Sequence, residues 1–229
     1  MHQPTARDLN NAGVVCMREG HLRISWDFFK GALELHLASE KRRTDPDAAL
    51  SRASETFILR ARNHYQNEFV DPRKRKGRET RTLPLTEIHG EDEYFCHLFL
   101  FRDPLEIPND FPESPTASCC GLVIILNLAL LEHLRNPSSL KVISLYRLAA
   151  SLLSGKLFEA PLEIVIMNNA GVWCHQSGDT SIADQYMGRL AELIKGHPFD
   201  SCFASEMKDG IYFNLNWFAN PQYKASPAA

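Results

Sequence analysis

The side chains that suggest chemistry here are carboxamides. The run Asn10-Asn11-Ala12-Gly13-Val14-Val15-Cys16, followed by Gly20, returns as Asn168-Asn169-Ala170-Gly171-Val172-Trp173-Cys174, followed by Gly178. A weaker third copy, Leu126-Asn127-Leu128-Ala129-Leu130, has Asn136 in the turn position. Asn11, Asn127 and Asn169 thus occupy equivalent places. A carboxamide offers both a donor and an acceptor, which suits it to pairing with a peptide unit. The competing reading is that these asparagines cap or bridge adjacent helices, and the sequence leaves both open.

Other candidate chemistry is weaker. Cys96-His97 and Cys174-His175 cannot chelate as adjacent pairs, because neighbours point about 100° apart on a helix and to opposite faces on a strand. No second pair follows at zinc spacing, so no metal site and no cofactor are expected. Cys119-Cys120 falls at an expected helix start, where a thiol pKa can be lowered, but a buried structural pair is favoured. No Gly-rich phosphate loop, G-x-S-x-G or H-E-x-x-H occurs, so no catalytic residue is assigned. The run Arg73-Lys74-Arg75-Lys76-Gly77-Arg78 reads as a solvated loop, with nuclear import or nucleic-acid contact as alternatives. No aromatic interleaves its charges, so it has no base-stacking platform.

The elements that must position the asparagines are helical. Apolar residues fall at spacings of three and four after each copy. They are Trp26, Phe29, Ala32 and Leu33 after the first, and Leu140, Ile143, Tyr146, Ala149 and Leu153 after the middle one. After the last they are Ile182, Ala183, Tyr186, Met187, Leu190 and Ile194. Each unit is therefore helix, tight turn, helix. Gly20, Asn136 and Gly178 suit the turns, and Ala12-Gly13 and Ala170-Gly171 let the second helix approach closely.

A further helix is expected over Pro46–Phe69, with Leu50, Ala53, Phe57, Ala61, Tyr65 and Phe69 on one face. Residues 71–81 read as a basic linker. Tyr94–Phe101 reads as a buried strand or extended segment, with Arg102-Asp103-Pro104 as turn material. Ile107–Pro115 holds three prolines and cannot be helical. Ile211–Phe218 suits a short capping helix, with a strand as the competitor, and 220–229 reads as a disordered tail.

With 229 residues, 44% of them hydrophobic and 23% charged, the composition is that of an ordinary globular protein. The net charge of −3 excludes a wholesale polyanion binder. Six cysteines are too sparse for a disulfide scaffold. The first residues show no basic region leading into an apolar run, and Leu122–Leu131 is about half of the ~20 residues that span a bilayer. The expectation is an intracellular protein off the membrane, cytoplasmic, with the nucleus as the alternative.

The pattern resembles the tetratricopeptide repeat, an antiparallel helix pair of about 34 residues, and is similar to tetratricopeptide-like proteins of algae. The matching positions are Leu9, Ala12, Gly13, Cys16, Ser25, Phe29 and Ala32 in the first unit. They are Asn127, Leu128, Ala129, Tyr146 and Ala149 in the second, and Met167, Ala170, Gly171, Cys174, Ala183, Met187 and Leu190 in the third. The match is degenerate, since Leu9, Cys16, Met167 and Cys174 replace the family's first-helix aromatics and no proline closes a unit.

The resemblance implies an all-α superhelix of helical hairpins, interrupted by an irregular insertion with room for one short strand. The units are 6–39, then a helix plus basic and proline-rich insertion over 40–116, two more hairpins over 117–198, and a cap and tail over 199–229. The first helices would line a concave groove with Arg7, Asn10, Asn11, Val14, Met17 and Arg18, then Leu126, Asn127, Leu130 and His133, then Asn168, Asn169, Val172, His175 and Gln176. In the family, asparagines so placed often bond a bound peptide's backbone. The implied role is a non-catalytic scaffold or adaptor for another protein or peptide. The alternatives are a nuclear or nucleic-acid-associated adaptor using Arg73–Arg81, an enzyme or enzyme subunit, and self-association through exposed ends. The sequence assigns no oligomeric state.

Overall fold

The structure is a computed structural model that describes residues 3–45, 52–66, 98–108, 117–153, 159–196 and 203–220. The basic run, Tyr94–His97, residues 109–115 and 221–229 lie outside them. Among the described residues the chain is all-α, with eight helices and no β-strand. They are α1 (Ala6–Arg18), α2 (Leu22–Thr44), α3 (Arg52–Tyr65), α4 (Ala117–Arg135), α5 (Leu140–Ser151), α6 (Ala160–Gln176), α7 (Thr180–Gly196) and α8 (Ser205–Ala219). None of the described helices is long and apolar enough to cross a membrane.

The chain divides into two compact units. The first holds α1–α4 and residues 103–108; the second holds 98–102 and α5–α8. In the first unit, α1 begins at a capping box. The Thr5 amide donates to Asp8 Oδ2 at 2.8 Å, and the Asp8 amide donates back to Thr5 Oγ1 at 3.2 Å. Two otherwise unpaired donors at the helix start are thereby satisfied. Helix α2 packs against α1, α3 and α4, which is why the adjacent Phe28 and Phe29 are both fully buried. Gly31 marks the close crossing with α3, since a methyl there would overlap Ala61.

In the second unit, α6 packs against α5 and α7, and α7 against α8. Ile164 through Cys174 are all buried. The Trp173 indole N–H donates to the Pro137 carbonyl at 2.6 Å, tying α6 to the turn before α5.

The hairpins α1–α2 and α6–α7 are built alike. Gly20 and Gly178 both adopt positive φ, +78° and +83°, in the left-handed region where only glycine is at ease. Each turn closes with the same bond one residue later, His21 N–H to Cys16 O at 2.8 Å and Asp179 N–H to Cys174 O at 2.9 Å. A Cβ on Gly13 would come within 2.7 Å of the Phe29 ring, and one on Gly171 within 2.7 Å of the Met187 methyl. Phe29 and Met187 hold the same place in their hairpins, so close approach is enforced identically.

Three expectations shift. Within the helix expected over Pro46–Phe69, whose residues 46–51 and 67–69 lie outside the described ones, α3 has Ile58 and Ala61 on its buried face, while Ala53, expected there, is exposed. Leu140, expected on the inner side of its helix, is 75% exposed as the first residue of α5, and Val142 takes the buried position. Residues 102–104 make no turn. Asp103 precedes Pro104, whose ring biases it away from the helical region towards extended backbone. The helical reading of 211–218 holds, because α8 spans it.

Glycine substitutions separate these roles. Gly20→Ala should cost about 1–2 kcal/mol through the left-handed backbone. Gly188→Ala, in open space on α7, should stabilise by about 0.5–1 kcal/mol. Urea unfolding measures both; equal effects at the two sites would contradict the turn assignment.

Candidate functional site

In the first unit, residues 103–108 run extended beside α1 and α4. The Ile107 amide donates to Asn11 Oδ1 at 2.8 Å, and Asn11 Nδ2 donates to the Ile107 carbonyl at 2.9 Å. The Leu105 amide donates to Asn127 Oδ1 at 2.8 Å, and Asn127 Nδ2 donates to the Leu105 carbonyl, also at 2.8 Å. Asn10, fully buried, links the two clamps. It donates to the Leu105 carbonyl at 3.1 Å and to Asn11 Oδ1 at 3.2 Å, and accepts from Asn127 Nδ2 at 3.0 Å.

In the second unit, residues 98–102 meet an equivalent set. The Phe101 amide donates to Asn169 Oδ1 at 3.0 Å, and Asn169 Nδ2 donates to the Phe101 carbonyl at 2.9 Å. The Phe99 amide donates to Asn214 Oδ1 at 2.7 Å, and Asn214 Nδ2 returns a 2.7 Å bond to the Phe99 carbonyl. Asn168 links this pair as Asn10 links the other. It donates to the Phe99 carbonyl at 3.1 Å and to Asn169 Oδ1 at 3.1 Å, and accepts from Asn214 Nδ2 at 2.8 Å.

The geometry follows from the extended backbone. There the N–H and C=O of one residue point to the same side, and an antiparallel neighbour would bond both. A carboxamide carries the same donor and acceptor on one rigid group, so one side chain replaces that neighbour. Residues 99 and 101, and likewise 105 and 107, are two apart, so their backbone groups face the same way. Asp103 and Ile107 each precede a proline, which biases them to extended conformations before any clamp forms.

The surroundings are largely dry. Leu98, Phe101 and Ile107 are buried, as are Asn127, Asn168, Asn169 and Asn214. Asn169 Nδ2 also meets the Tyr146 hydroxyl at 3.3 Å. Burial pushes the Tyr146 phenol pKa far up, with the Asn169 bond opposing, so this hydroxyl stays protonated. The Phe99 ring lies against Gly210, where any methyl would overlap it. At the solvent edge Arg18 pairs with Glu106.

The remaining groove residues expected from the sequence are dispersed in character. Val14, Leu130, Val172 and His133 are buried, the last at 3% exposure, whereas Arg7 is half-buried. His175 is half-buried and packs edge-on against Trp217 and Phe218, with ring centres at 4.5 and 5.4 Å. Among the described residues no three His, Cys, Asp or Glu side chains gather as metal ligands would. The possibility of an activated thiol near the start of α4 does not hold for Cys120. Burial raises its pKa to about 11 against the smaller opposing pull of Arg7, and burial does the same for Cys174.

Asn214 is the participant that sequence reasoning missed. Its signal is the string Phe213-Asn214-Leu215, which repeats the setting of Asn127 in Leu126-Asn127-Leu128. The extended reading covers Tyr94–Phe101 but not its continuation to Ile107, although Phe99-x-Phe101 and Leu105-x-Ile107 alternate in step. Compared with known protein families, with curated proteins and with solved structures, the chain matches none.

Asn214→Ala removes the bond to the Phe99 amide and one of the two to the Phe99 carbonyl, which keeps that from Asn168, a loss of about 1–3 kcal/mol. Hydrogen exchange at the Phe99 amide should accelerate at least about tenfold, with the Leu105 amide unchanged. Equal acceleration at both amides, or none at Phe99, would contradict unit-by-unit clamping. A second check concerns the thiols: Cys120 and Cys174 should alkylate more slowly than free cysteine at pH 8, with the thiolate fraction rising only towards pH 11. Alkylation at the free-cysteine rate would contradict their burial.

Proposed function

We propose that this protein is a non-catalytic protein–protein interaction scaffold of the tetratricopeptide-like, superhelical kind, and that its asparagines hold partners by the peptide backbone. The observation that carries the reading is the pair of hydrogen bonds by which each of Asn11, Asn127, Asn169 and Asn214 accepts from the N–H and donates to the C=O of a single extended residue. Such a grip is chemically generic. It needs no particular side chain on the bound residue, only an extended backbone with a free N–H. The protonated Cys120 and Cys174 thiols and the Tyr146 phenol beside Asn169 add weight to a binding rather than a catalytic role, because these groups are held in their unreactive forms.

The test replaces residues 98–108 with an equally long Gly/Ser run and screens the protein against displayed random peptides. Peptide ligands should be recovered, and their affinity should fall at least about tenfold when Asn127→Ala and Asn214→Ala are combined. Circular dichroism should show the helices intact. Recovery of no ligand, or of ligands indifferent to the asparagines, ends the scaffold reading.

A further inference from the structure

Both units grip the same three-residue pattern. In the second it is Phe99-Leu100-Phe101 and in the first Leu105-Glu106-Ile107: apolar, any residue, apolar, with both apolar residues clamped at the main chain. Three asparagines, bonded to one another in the same order, do this each time. Side-chain selection is layered on the backbone grip. Phe101 and Ile107 are 5% and 3% exposed, and Phe99 lies against the bare backbone of Gly210. The middle residue of the first-unit triplet is different: Glu106 is exposed and pairs with Arg18. A carboxylate is therefore favoured there, through a solvent-facing contact worth little in affinity but selective in charge.

We propose that residues 98–108 are a built-in competitor, and that the ligand these asparagines take in trans is an extended peptide of the same code. In each unit the code is one apolar-x-apolar triplet, and in the first unit its middle residue is acidic, where it meets Arg18. This rests on the scaffold reading and adds to it the ligand class and its regulation. Nothing in the clamps requires the gripped backbone to belong to the same chain. Each bond is a neutral side-chain-to-backbone hydrogen bond that another extended peptide can form equally well. A tethered segment simply has the advantage of high effective concentration, so a free peptide binds weakly until the tethered one is displaced.

The test ejects the segment with Phe101→Pro and Leu105→Pro, which delete the amide donors to Asn169 and Asn127 without altering a helix. The probes are two labelled peptides, HLFLFRD for the second unit and DPLEIPN for the first, each followed by fluorescence polarisation. The ejected variant should bind each at least about tenfold more tightly than the natural chain does, and Asn214→Ala should undo the gain for HLFLFRD alone. A DPLEIPN probe with Lys in place of its Glu should bind less well, and Arg18→Glu should restore it. In the natural chain, isotopically labelled, an excess of both unlabelled probes should speed exchange at its own Phe101 and Leu105 amides.

A helical ejected variant that ignores the probes overturns the proposal; if the same variant still takes displayed peptides, the scaffold reading survives alone. Loss of helical structure on ejection also overturns it, because the segment is then a strut that the fold needs. So does a dimer that still excludes the probes, since a second copy's segment would then be the occupant.

Discussion

A peptide group removed from water must find a partner, and this requirement organises the molecule. The extended residues 98–108 lie against helices, whose own backbone groups are already paired internally. Only side chains can serve them, and among side chains the carboxamides alone carry an uncharged donor and acceptor on one planar amide, spaced as in a peptide unit. Aspartate would be acceptor-only and would carry a buried charge; leucine would leave both backbone groups orphaned. The identity of the residue at positions 11, 127, 169 and 214 thus follows from the path of the segment.

The same constraint explains why the asparagines come in threes. A carboxamide nitrogen has two hydrogens, and a clamp uses one of them. The second hydrogens of Asn127 and Asn214 go to the oxygens of Asn10 and Asn168. Those two linkers pass a hydrogen on to Asn11 and Asn169 in turn. Both hydrogens of Asn10, Asn127, Asn168 and Asn214 are thereby used, so the rotamer of one member fixes the next. Chains of this kind hold geometry better than isolated pairs. The glycines of α1 and α6 contribute from behind, since Gly13 and Gly171 admit Phe29 and Met187 and so seat the helices that carry the asparagines.

Much of this was legible in the sequence, and for a clear reason. The all-α class, the turn glycines at 20 and 178 and the equivalence of Asn11 and Asn169 are local properties, read from periodicity and from one duplicated string; Asn127, grouped with them by the sequence, instead holds the place of Asn214. What those asparagines bond was not legible. Helix bridging and backbone binding looked like competing readings, yet Asn10 and Asn168 link helices while the neighbouring Asn11 and Asn169 grip the segment. Contacts between residues 98–108 and helices so distant in sequence leave no mark in local composition. Asn214 escaped because an apolar stretch of ambiguous period drew attention to helix versus strand, away from the single polar residue in its middle. Ala53 and Leu140 were misplaced because a helical stripe shows spacing but not which neighbours arrive to cover it.

The grip on the main chain divides the burden of heredity unevenly. Substituting one apolar residue for another at 99, 101, 105 or 107 leaves every carboxamide bond in place, whereas any change at the six asparagines breaks a shared network. Among descendants of a common ancestor, the holding residues would be frozen while the held strand drifted. A survey of such descendants would then find the most conserved letters of this protein in the grasp rather than in what is grasped.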